Sequence, residues 1–282
     1  MTAMTEGLDG HAHVFAPHLP LVTPRRYTPD YAATVDQFIA HLDACGLSGG
    51  LLTQPSFLGT DNRHMLEAVA RFPDRLRAVV VIDPHLDPPA LDALAAGGAV
   101  GLRLNLEGRD LPDLSSGPWP ALLTELARRH WHVELHRTAG DLPGLLAPLL
   151  KAGVRVCIDH FGRPDPAQGA DDPGFRALLE AAASKQVWVK VSAAYRIGGL
   201  QRGEALAPRL LEHLLKHFPA TRLIWASDWP HTQFETQVSH AHCFHALERW
   251  GVDRVTARRL RHEGLRALVV PGSPGAFSAT GP

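Results

Sequence analysis

The sequence is poor in cysteine and carries almost no net charge. Its 282 residues include only three cysteines, Cys45, Cys157 and Cys243, which are far apart and form no CxxC pair. A sparse, odd cysteine count is typical of a reducing compartment, so we expect buried thiols rather than a disulfide framework. The 28 Lys and Arg residues nearly balance the 29 Asp and Glu residues, so charge gives no reason to expect a nucleic acid or an anionic membrane as a partner.

Long apolar runs are also missing. No stretch approaches the roughly 20 residues that a membrane-spanning helix needs. Residues 1–8 have neither the basic start nor the apolar run of a signal peptide. These absences predict a cytoplasmic protein without a membrane partner. A homodimer is compatible with the sequence, although no feature requires one.

Short runs rich in Val, Leu and Ile alternate with longer segments of helical periodicity. The runs predict strands at 8–13, 49–53, 76–82, 99–104, 131–136, 154–158, 187–192 and 222–226. The longer segments predict helices at 32–45, 61–72, 88–96, 118–130, 141–151, 173–184, 203–218, 234–250 and, at the end, 253–268. Eight strand–helix units with nearly continuous apolar strands predict an α/β fold, a (β/α)8 TIM-type barrel with a C-terminal helix.

The alternative fold is a doubly wound open sheet. Such folds place a Gly-x-Gly-x-x-Gly turn after the first strand, and no such turn occurs here, so the barrel is favoured. We expect a single domain over residues 1–270 and a disordered Pro/Gly/Ser tail over 271–282. The Pro- and Arg-rich loop at 16–30 follows the first strand, where it is expected to cover a pocket.

The first predicted strand ends in a His-x-His pattern. His11 and His13 are two residues apart, so their imidazoles lie on one face of the strand, where they could hold a metal ion or polarise a carbonyl. The pattern alone is weak, because the chain contains 17 histidines. It gains weight from polar residues at the ends of the other strands, since strand ends converge on one mouth in a barrel.

Titratable groups follow several of these strands. His136 ends the fifth strand, His160 follows the sixth, and Asp228 follows the eighth. Because an apolar strand precedes Asp228, we expect a partly buried carboxylate close to the histidines, which suits a general base. The alternative is an N-cap for the turn that follows, since Asp is a preferred capping residue. We favour catalysis because the histidines should face the same space.

Four arginines lie on or just beyond strand ends: Arg103, Arg109, Arg163 and Arg196. Guanidinium groups bind carboxylates in a bidentate fashion, so the set predicts a small-molecule substrate with more than one carboxylate. For any single arginine, an ion pair that braces a loop is an equally good interpretation.

Motifs in the order found in a known family run through most of the chain. They are His11-Ala12-His13-Val14-Phe15, Arg26-Tyr27-Thr28-Pro29, Gln54-Pro55-Ser56, Gly59-Thr60-Asp61-Asn62-Arg63, Gly101-Leu102-Arg103-Leu104-Asn105, Trp131-His132-Val133, Asp159-His160-Phe161-Gly162-Arg163-Pro164-Asp165, Val187-Trp188-Val189-Lys190-Val191-Ser192 and Ser227-Asp228-Trp229-Pro230-His231. Together they resemble the amidohydrolase superfamily (amidohydrolase-2 type), most closely its branch around the 2-pyrone-4,6-dicarboxylate hydrolases. The resemblance implies a distorted barrel and hydrolysis of a carboxylated lactone without a metal.

The resemblance also implies residue roles. Three histidines would contact and polarise the ring carbonyl: His11, His13 and His160. Asp228 would take a proton from the attacking water and pass it to the leaving oxygen. The substrate carboxylates would be held by Arg103, Arg109, Arg163, Arg196, Tyr27 and Ser56.

One residue departs from the family pattern. The dicarboxylate hydrolases have a tyrosine where this chain has His136, and metal-using relatives often place a histidine or lysine at that strand. A zinc ion could then be held by a nitrogen-rich set: His11, His13, His136, His160 and Asp228. Alternatively, His136 is another substrate-binding donor. We favour a site without a metal cofactor, because the arginines and the rest of the match point that way, and we keep zinc as the alternative.

Three functions follow. The first is a metal-independent lactonase that opens a carboxylated pyrone or muconolactone-type ring in aromatic-compound breakdown. The second is a zinc-dependent amidohydrolase-type hydrolase or decarboxylase that uses the same pocket. The third is a catalytically silent dicarboxylate-binding protein, against which the intact set of Asp and His residues argues.

Overall fold

Eight parallel strands form the centre of the molecule. The computed structural model describes residues 7–269 and Phe277. The strands pair in sequence order, and they are β1 (Gly7–Ala12), β2 (Leu47–Thr53), β3 (Leu76–Val80), β4 (Ala99–Asn105), β5 (His132–His136), β6 (Arg155–Ile158), β7 (Val187–Val191) and β8 (Leu223–Trp225). The predicted TIM-type barrel is confirmed.

Helices follow the strands and cover the barrel. They are α1 (Val35–Ala44), α2 (Arg63–Arg71), α3 (Pro88–Ala96), α4 (Trp119–Arg128), α5 (Leu142–Lys151), α6 (Pro173–Glu180), α7 (Leu200–His217), α8 (His240–Phe244), α9 (Ala246–Arg249) and α10 (Arg254–Leu268). Local chemistry sets several of their starts. Thr34 forms a capping box with Gln37 at α1, and Asp87 caps α3 while Pro88 occupies its first turn.

The barrel closes at a seam between β1 and the segment after β8. Ala12 forms a parallel bridge with Trp229. The His13 amide donates to the Trp229 carbonyl at 2.8 Å, and the Asp228 amide donates to the His11 carbonyl at 2.9 Å. On the other side of β1, register shifts interrupt its ladder with β2. The seam thus fixes the spacing of the first and last strand ends.

An apolar cluster fills the amino-terminal half of the barrel interior. We call it the floor cluster; it consists of Leu8, Leu51, Val79, Val100, Cys157, Trp188 and Ile224, with Leu265 and Leu268 from α10 and Val269 just after it. The terminal helix approaches β8 closely at Gly264, where a Cβ would lie only 2.0 Å from the carbonyl oxygen of Leu223. Because Leu223 is the first residue of β8, α10 closes the amino-terminal end of the barrel.

The predicted helix at 234–250 is wrong in its first half. Residues 234–239 form turns, and two short helices, α8 and α9, replace the rest. Ser239 caps α8, since its hydroxyl accepts from the His242 amide at 3.2 Å, and a capping serine competes with a continuous helix. The predicted helix at 173–184 also ends early, because α6 continues as a 3-10 turn over Ala181–Ser184.

Two predictions concern the chain ends and a membrane. The predicted tail at 271–282 lies outside the described residues except for Phe277, and so does part of the predicted domain over 1–270. Within the described part of the chain, none of the helices combines the length and the apolar character needed to cross a membrane.

Candidate active site

A cleft opens at the carboxyl ends of the strands, where barrel enzymes carry their active sites. The empty space between its walls is about 480 Å³, with the open solvent at the mouth included. The walls come from strand ends and the loops after them: His13, Arg26, Tyr27, Pro55, Ser56, Phe57, Arg103, Asn105, His136, His160, Arg196, Asp228, Thr232 and Gln233. The predicted mouth is a concave site rich in histidine and arginine, and the loop at 16–30 forms part of its wall.

Three of the four predicted catalytic side chains line this cleft: His13, His160 and Asp228. The fourth, His11, is fully buried and lies against them. Asp228 Oδ1 lies 3.7 Å from His11 Nε2 and 3.5 Å from His160 Nε2. His13 Nε2 lies 3.3 Å from His11 Nε2. All four are buried, so their mutual interactions are screened far less than those of surface groups.

Unusual backbone conformations present two of these side chains. Asp228 has φ of 60° and His160 has φ of 51°. Left-handed backbone is uncommon for non-glycine residues and is concentrated at functional sites. The Asp228 carboxylate accepts from the side chains of Tyr195 and Arg196, and among the described residues it accepts from no backbone amide of the turn that follows. The capping alternative therefore does not explain this residue.

The two oxygens of Asp228 have different surroundings. Oδ2 accepts from the Tyr195 hydroxyl at 2.6 Å and from Arg196 Nε at 2.8 Å. Oδ1 has no hydrogen-bond partner among the described residues. Burial alone would raise the pKa of Asp228, but the Arg196 guanidinium and His160 hold that pKa well below its ordinary range. Asp228 is therefore ionised, and Oδ1 is available to a water or a substrate.

A layer of buried polar and charged side chains lies beneath His11. We call it the charged layer: Thr53, Arg103, Glu134, Asp159 and Lys190. Lys190 Nζ contacts Glu134 and lies 3.3 Å from Asp159 Oδ1. The strands that carry Glu134 and Lys190, β5 and β7, are not neighbours in the sheet, so their contact crosses the barrel interior.

Opposite charges compensate each other within this layer. Arg103 Nε lies 3.6 Å from Glu134 Oε1, and its NH2 nitrogen lies 3.5 Å from Asp159 Oδ2. Burial and the neighbouring Asp159 favour a neutral Glu134, but the Lys190 ammonium lowers its pKa below the ordinary value. Asp159 and Glu134 in turn raise the pKa of Lys190 despite its burial. The layer is an ionised network sealed inside the barrel.

Burial keeps three histidines of the cleft neutral. It lowers the pKa of His160 to about 3 and holds the pKa values of His13 and His136 well below the usual range. A neutral imidazole has one N–H donor and one acceptor nitrogen, so the partner of Nδ1 decides what Nε2 offers to the cleft.

Most of the predicted substrate-binding residues line the cleft: Arg103, Arg196, Tyr27, Ser56 and His136. Arg163 stands behind His136, with its NH1 nitrogen 3.4 Å from His136 Nε2 and 2.6 Å from Glu107 Oε2. Arg109 is exposed and does not line the cleft. Its substrate contact stays a prediction.

Several residues were not predicted as part of the site. Arg26 lines the cleft and donates to Asn105 Oδ1 at 3.0 Å. Glu134 and Lys190 form the centre of the charged layer. A signal for the last two was present, because each is a charged residue inside an apolar strand. Glu134 is also two positions before His136, a predicted site residue, and hence on the same strand face.

The spacing of three side chains fits a metal ion. One ligand atom from each of His11, His13 and Asp228 lies within 4.8 Å of the others. A tetrahedral zinc ion with bonds of about 2.1 Å separates its ligand atoms by about 3.4 Å, close to the 3.3 Å and 3.7 Å found from His11 Nε2. His136 does not join this group, because its Nδ1 faces Asn105 Oδ1 at 3.2 Å and its Nε2 faces Arg163. The predicted five-residue zinc set is therefore not brought together as a whole.

Curated relatives of the chain include lactone hydrolases. It is 30% identical over 233 residues to a 4-sulfomuconolactone hydrolase from Hydrogenophaga intermedia, covering 80% of this chain and 75% of the relative. It is also 30% identical over 235 residues to a 2-pyrone-4,6-dicarboxylate hydrolase from Comamonas testosteroni, covering 79% and 76%.

Crystal structures extend the similarity. A structure from Acinetobacter baumannii, described as a probable 2-pyrone-4,6-dicarboxylic acid hydrolase with citric acid bound, matches with a TM-score of 0.91 and 38% identity, covering 94% of this chain and 99% of that one. A Burkholderia multivorans amidohydrolase with bound zinc shares the fold, with a TM-score of 0.77 at 18% identity, covering 94% and 99%.

The family itself follows from the sequence as a whole. The model of the amidohydrolase family matches residues 8–263, which include all of β2 to β8, β1 except Gly7, and the first two thirds of α10. The chain belongs to the amidohydrolase family of hydrolases.

Proposed function

We propose that this protein is a lactonase that hydrolyses a carboxylated lactone of the pyrone or muconolactone type, with Asp228 as the general base and without a metal. The names of the relatives support the reaction class. The observation that carries the proposal is the state of Asp228: an ionised carboxylate with one oxygen free of hydrogen bonds, 3.5 Å from His160 and 3.7 Å from His11, in an arginine-lined cleft.

The reaction begins with a water between Asp228 and the ring carbonyl. Asp228 takes one proton as the water oxygen bonds to the carbonyl carbon. When the tetrahedral intermediate collapses, the ring C–O bond breaks and Asp228 returns that proton to the leaving oxygen. The product is an open-chain acid, and Asp228 is ionised again. Positioned proton transfer of this kind contributes roughly 10²- to 10⁴-fold to the rate.

Imidazole N–H groups stabilise the carbonyl oxygen. That oxygen gathers negative charge during the attack, and buried donors already aimed at it need no reorganisation. A single good donor of this type contributes about 3–4 kcal/mol. His11 and His160, which flank Asp228, can supply such donors.

Arginines bind the carboxylates of the substrate. The guanidinium of Arg196 contacts Asp228 from the cleft wall. When a substrate carboxylate shares that guanidinium, the electrostatic hold on Asp228 weakens and its basicity rises. Binding and activation of the base are then coupled through one side chain.

A zinc-dependent hydrolase or decarboxylase is the second candidate. It is favoured by the spacing of His11, His13 and Asp228, which could hold the ion. Bound zinc would lower the pKa of a water ligand to about 7 and so supply hydroxide. The arginines and the hydroxyls of Tyr27 and Ser56 would bind and orient the same substrate.

A turnover assay with metal analysis tests both candidates. Protein purified without chelator is assayed on 2-pyrone-4,6-dicarboxylate, 4-sulfomuconolactone and an uncharged lactone of similar size, before and after dialysis against a chelator. We expect hydrolysis of at least one anionic lactone, little of the uncharged one, and no change after dialysis. Stoichiometric zinc whose removal abolishes turnover would establish the second candidate instead. Binding of these lactones without any turnover would establish a silent binding protein.

A further inference from the structure

Lys190 is a buried cation that takes no part in the proposed reaction. Its side chain is 0% exposed, lies in the charged layer and cannot reach a substrate in the cleft. Its Nζ lies 2.7 Å from His11 Nδ1, the nitrogen of His11 that faces away from the cleft. An ammonium group has three donors and no acceptor. In this contact, His11 Nδ1 is therefore the acceptor.

The contacts of His13 also indicate that the hydrogen of His11 is on Nε2. His13 Nδ1 lies 2.6 Å from the backbone carbonyl of Thr53, which only accepts hydrogen bonds. His13 Nδ1 thus carries the hydrogen, and His13 Nε2 of the neutral ring has a lone pair. His11 Nε2, 3.3 Å away, is the donor that matches this lone pair. Two contacts at opposite ends of the His11–His13 pair thus require the same arrangement.

One competing arrangement exists at His11. Glu134 Oε1 and Asp159 Oδ1 lie 3.3 Å and 3.5 Å from His11 Nδ1, and either carboxylate could accept a hydrogen from it. The Lys190 contact is the shortest of the three and meets hydrogen-bond geometry, whereas the two carboxylates lie at ion-pair distances. With Lys190 removed, these carboxylates would become the partners of His11 Nδ1.

We infer that Lys190 is a positioning residue that fixes His11 as the tautomer with its hydrogen on Nε2. In the free site this Nε2–H faces His13 Nε2, and a lactone carbonyl oxygen bound beside Asp228 would accept it in place of His13. The same tautomer has no lone pair on Nε2 for a metal, because metal-binding histidines direct their other N–H to a carboxylate or carbonyl. Lys190 thereby selects between the two candidate chemistries of one set of side chains.

The consequence for catalysis rests on the proposed metal-independent hydrolysis, but the tautomer can be measured without any substrate. Protein with ¹⁵N-labelled histidine is examined by long-range ¹H–¹⁵N correlation, which distinguishes the two neutral tautomers and the imidazolium. A His11→Gln spectrum identifies the signals of His11. We expect the Nε2–H tautomer in the wild type. A hydrogen on Nδ1, alone or in an imidazolium, overturns the inference.

Lys190→Met removes the donor at roughly constant length. We expect His11 to shift to the Nδ1–H tautomer, kcat to fall about 100-fold, within the range of effects of positioned acid–base groups, and KM to change less than threefold. We also expect zinc affinity, measured by equilibrium dialysis, to rise at least tenfold. Retention of the Nε2–H tautomer in this variant would show that Lys190 is merely structural.

Two further variants separate the effect on the His11 tautomer from a failure to fold and from a general effect of losing a lysine. Because Lys190→Met leaves buried carboxylates without their cation, it can fail to fold; Lys190→Met with Glu134→Gln removes one charge of each sign and carries the same expectations. Lys151→Met, at an exposed position, is the matched control and should resemble the wild type. If the wild type has the Nε2–H tautomer but hydrolyses no lactone, the proposed function fails while the role of Lys190 stands.

Discussion

The two halves of the barrel interior are built by the same strands and have opposite chemistry. Leu51, Cys157 and Trp188 belong to the apolar floor cluster. Two residues further along their strands, on the same faces, stand Thr53, Asp159 and Lys190 of the charged layer. One step of the strand repeat thus separates a hydrophobic core from an ion network.

The floor cluster stabilises the fold, whereas the charged layer serves the chemistry of the site. Burial of apolar surface in the floor cluster stabilises the fold by about 25 cal/mol per Å². Buried ion networks are weak contributors to stability, because desolvation offsets most of their Coulombic attraction. We therefore interpret the charged layer as a device that orients the histidines above it, supported by the stability of the floor. The predictions below separate these two roles.

The largest expected effect is on kcat, from a substitution at Asp228. Asp228→Asn keeps the size of the side chain and suits the left-handed backbone at this position, which asparagine tolerates. It removes the base, so kcat should fall about 10³-fold in steady-state hydrolysis assays, within the usual range for general bases.

Two controls accompany that measurement. Substrate binding by calorimetry should persist, because Asp228 is not one of the proposed carboxylate-binding groups. The thermal unfolding midpoint should be recorded, since the variant leaves Arg196 without its partner. A folded variant that retains more than a tenth of wild-type kcat would contradict the role of Asp228 as base.

The next largest effect is expected on the free energy of unfolding, from a substitution in the floor cluster. Leu265→Ala removes a 1% exposed side chain of α10 from the floor cluster. Cavities of this kind reduce the free energy of unfolding by about 2–5 kcal/mol. We expect a loss of about 3 kcal/mol in denaturant titrations, with kcat and KM within twofold of the wild type below the transition. A large fall in kcat would show that the two halves are not independent.

The smallest effect concerns substrate binding at the rim. Arg26 lines the cleft beside Asn105, and Arg103, Arg163 and Arg196 each lie within 4 Å of a carboxylate oxygen. Arg26 can therefore bind a substrate anion with no acidic side chain to displace. Arg26→Ala should raise KM about tenfold, which corresponds to about 1.4 kcal/mol, with little change in kcat.

Arg109→Ala is the matched control for Arg26, because Arg109 is exposed and outside the cleft. Its KM should stay within twofold of the wild type. A larger effect at Arg109 than at Arg26 would mean that the loop after β4 moves inward when substrate binds. In that case, the contact implied by the family resemblance would be correct.

The sequence by itself determined the architecture and most of the site. Eight apolar runs in alternation with helical segments predict the barrel, because parallel strands buried on both faces need continuous apolar residues. His11, His160 and Asp228 could be placed at one mouth, since residues at the carboxyl ends of barrel strands converge whatever the details of packing. The helix at 234–250 was the main error, because periodicity does not reveal that Ser239 caps a new helix.

Only the tertiary structure decided which polar residues touch. Arg26 enters the cleft while Arg109 stays outside, and loop paths of this kind depend on packing rather than on position in the chain. Glu134 and Lys190 meet across the barrel from strands 56 residues apart in sequence. Sequence patterns predict which face of a strand a side chain is on, but not which side chain it contacts across the barrel interior. For His11, the contact with Lys190 decides whether Nε2 carries a hydrogen that a substrate can accept.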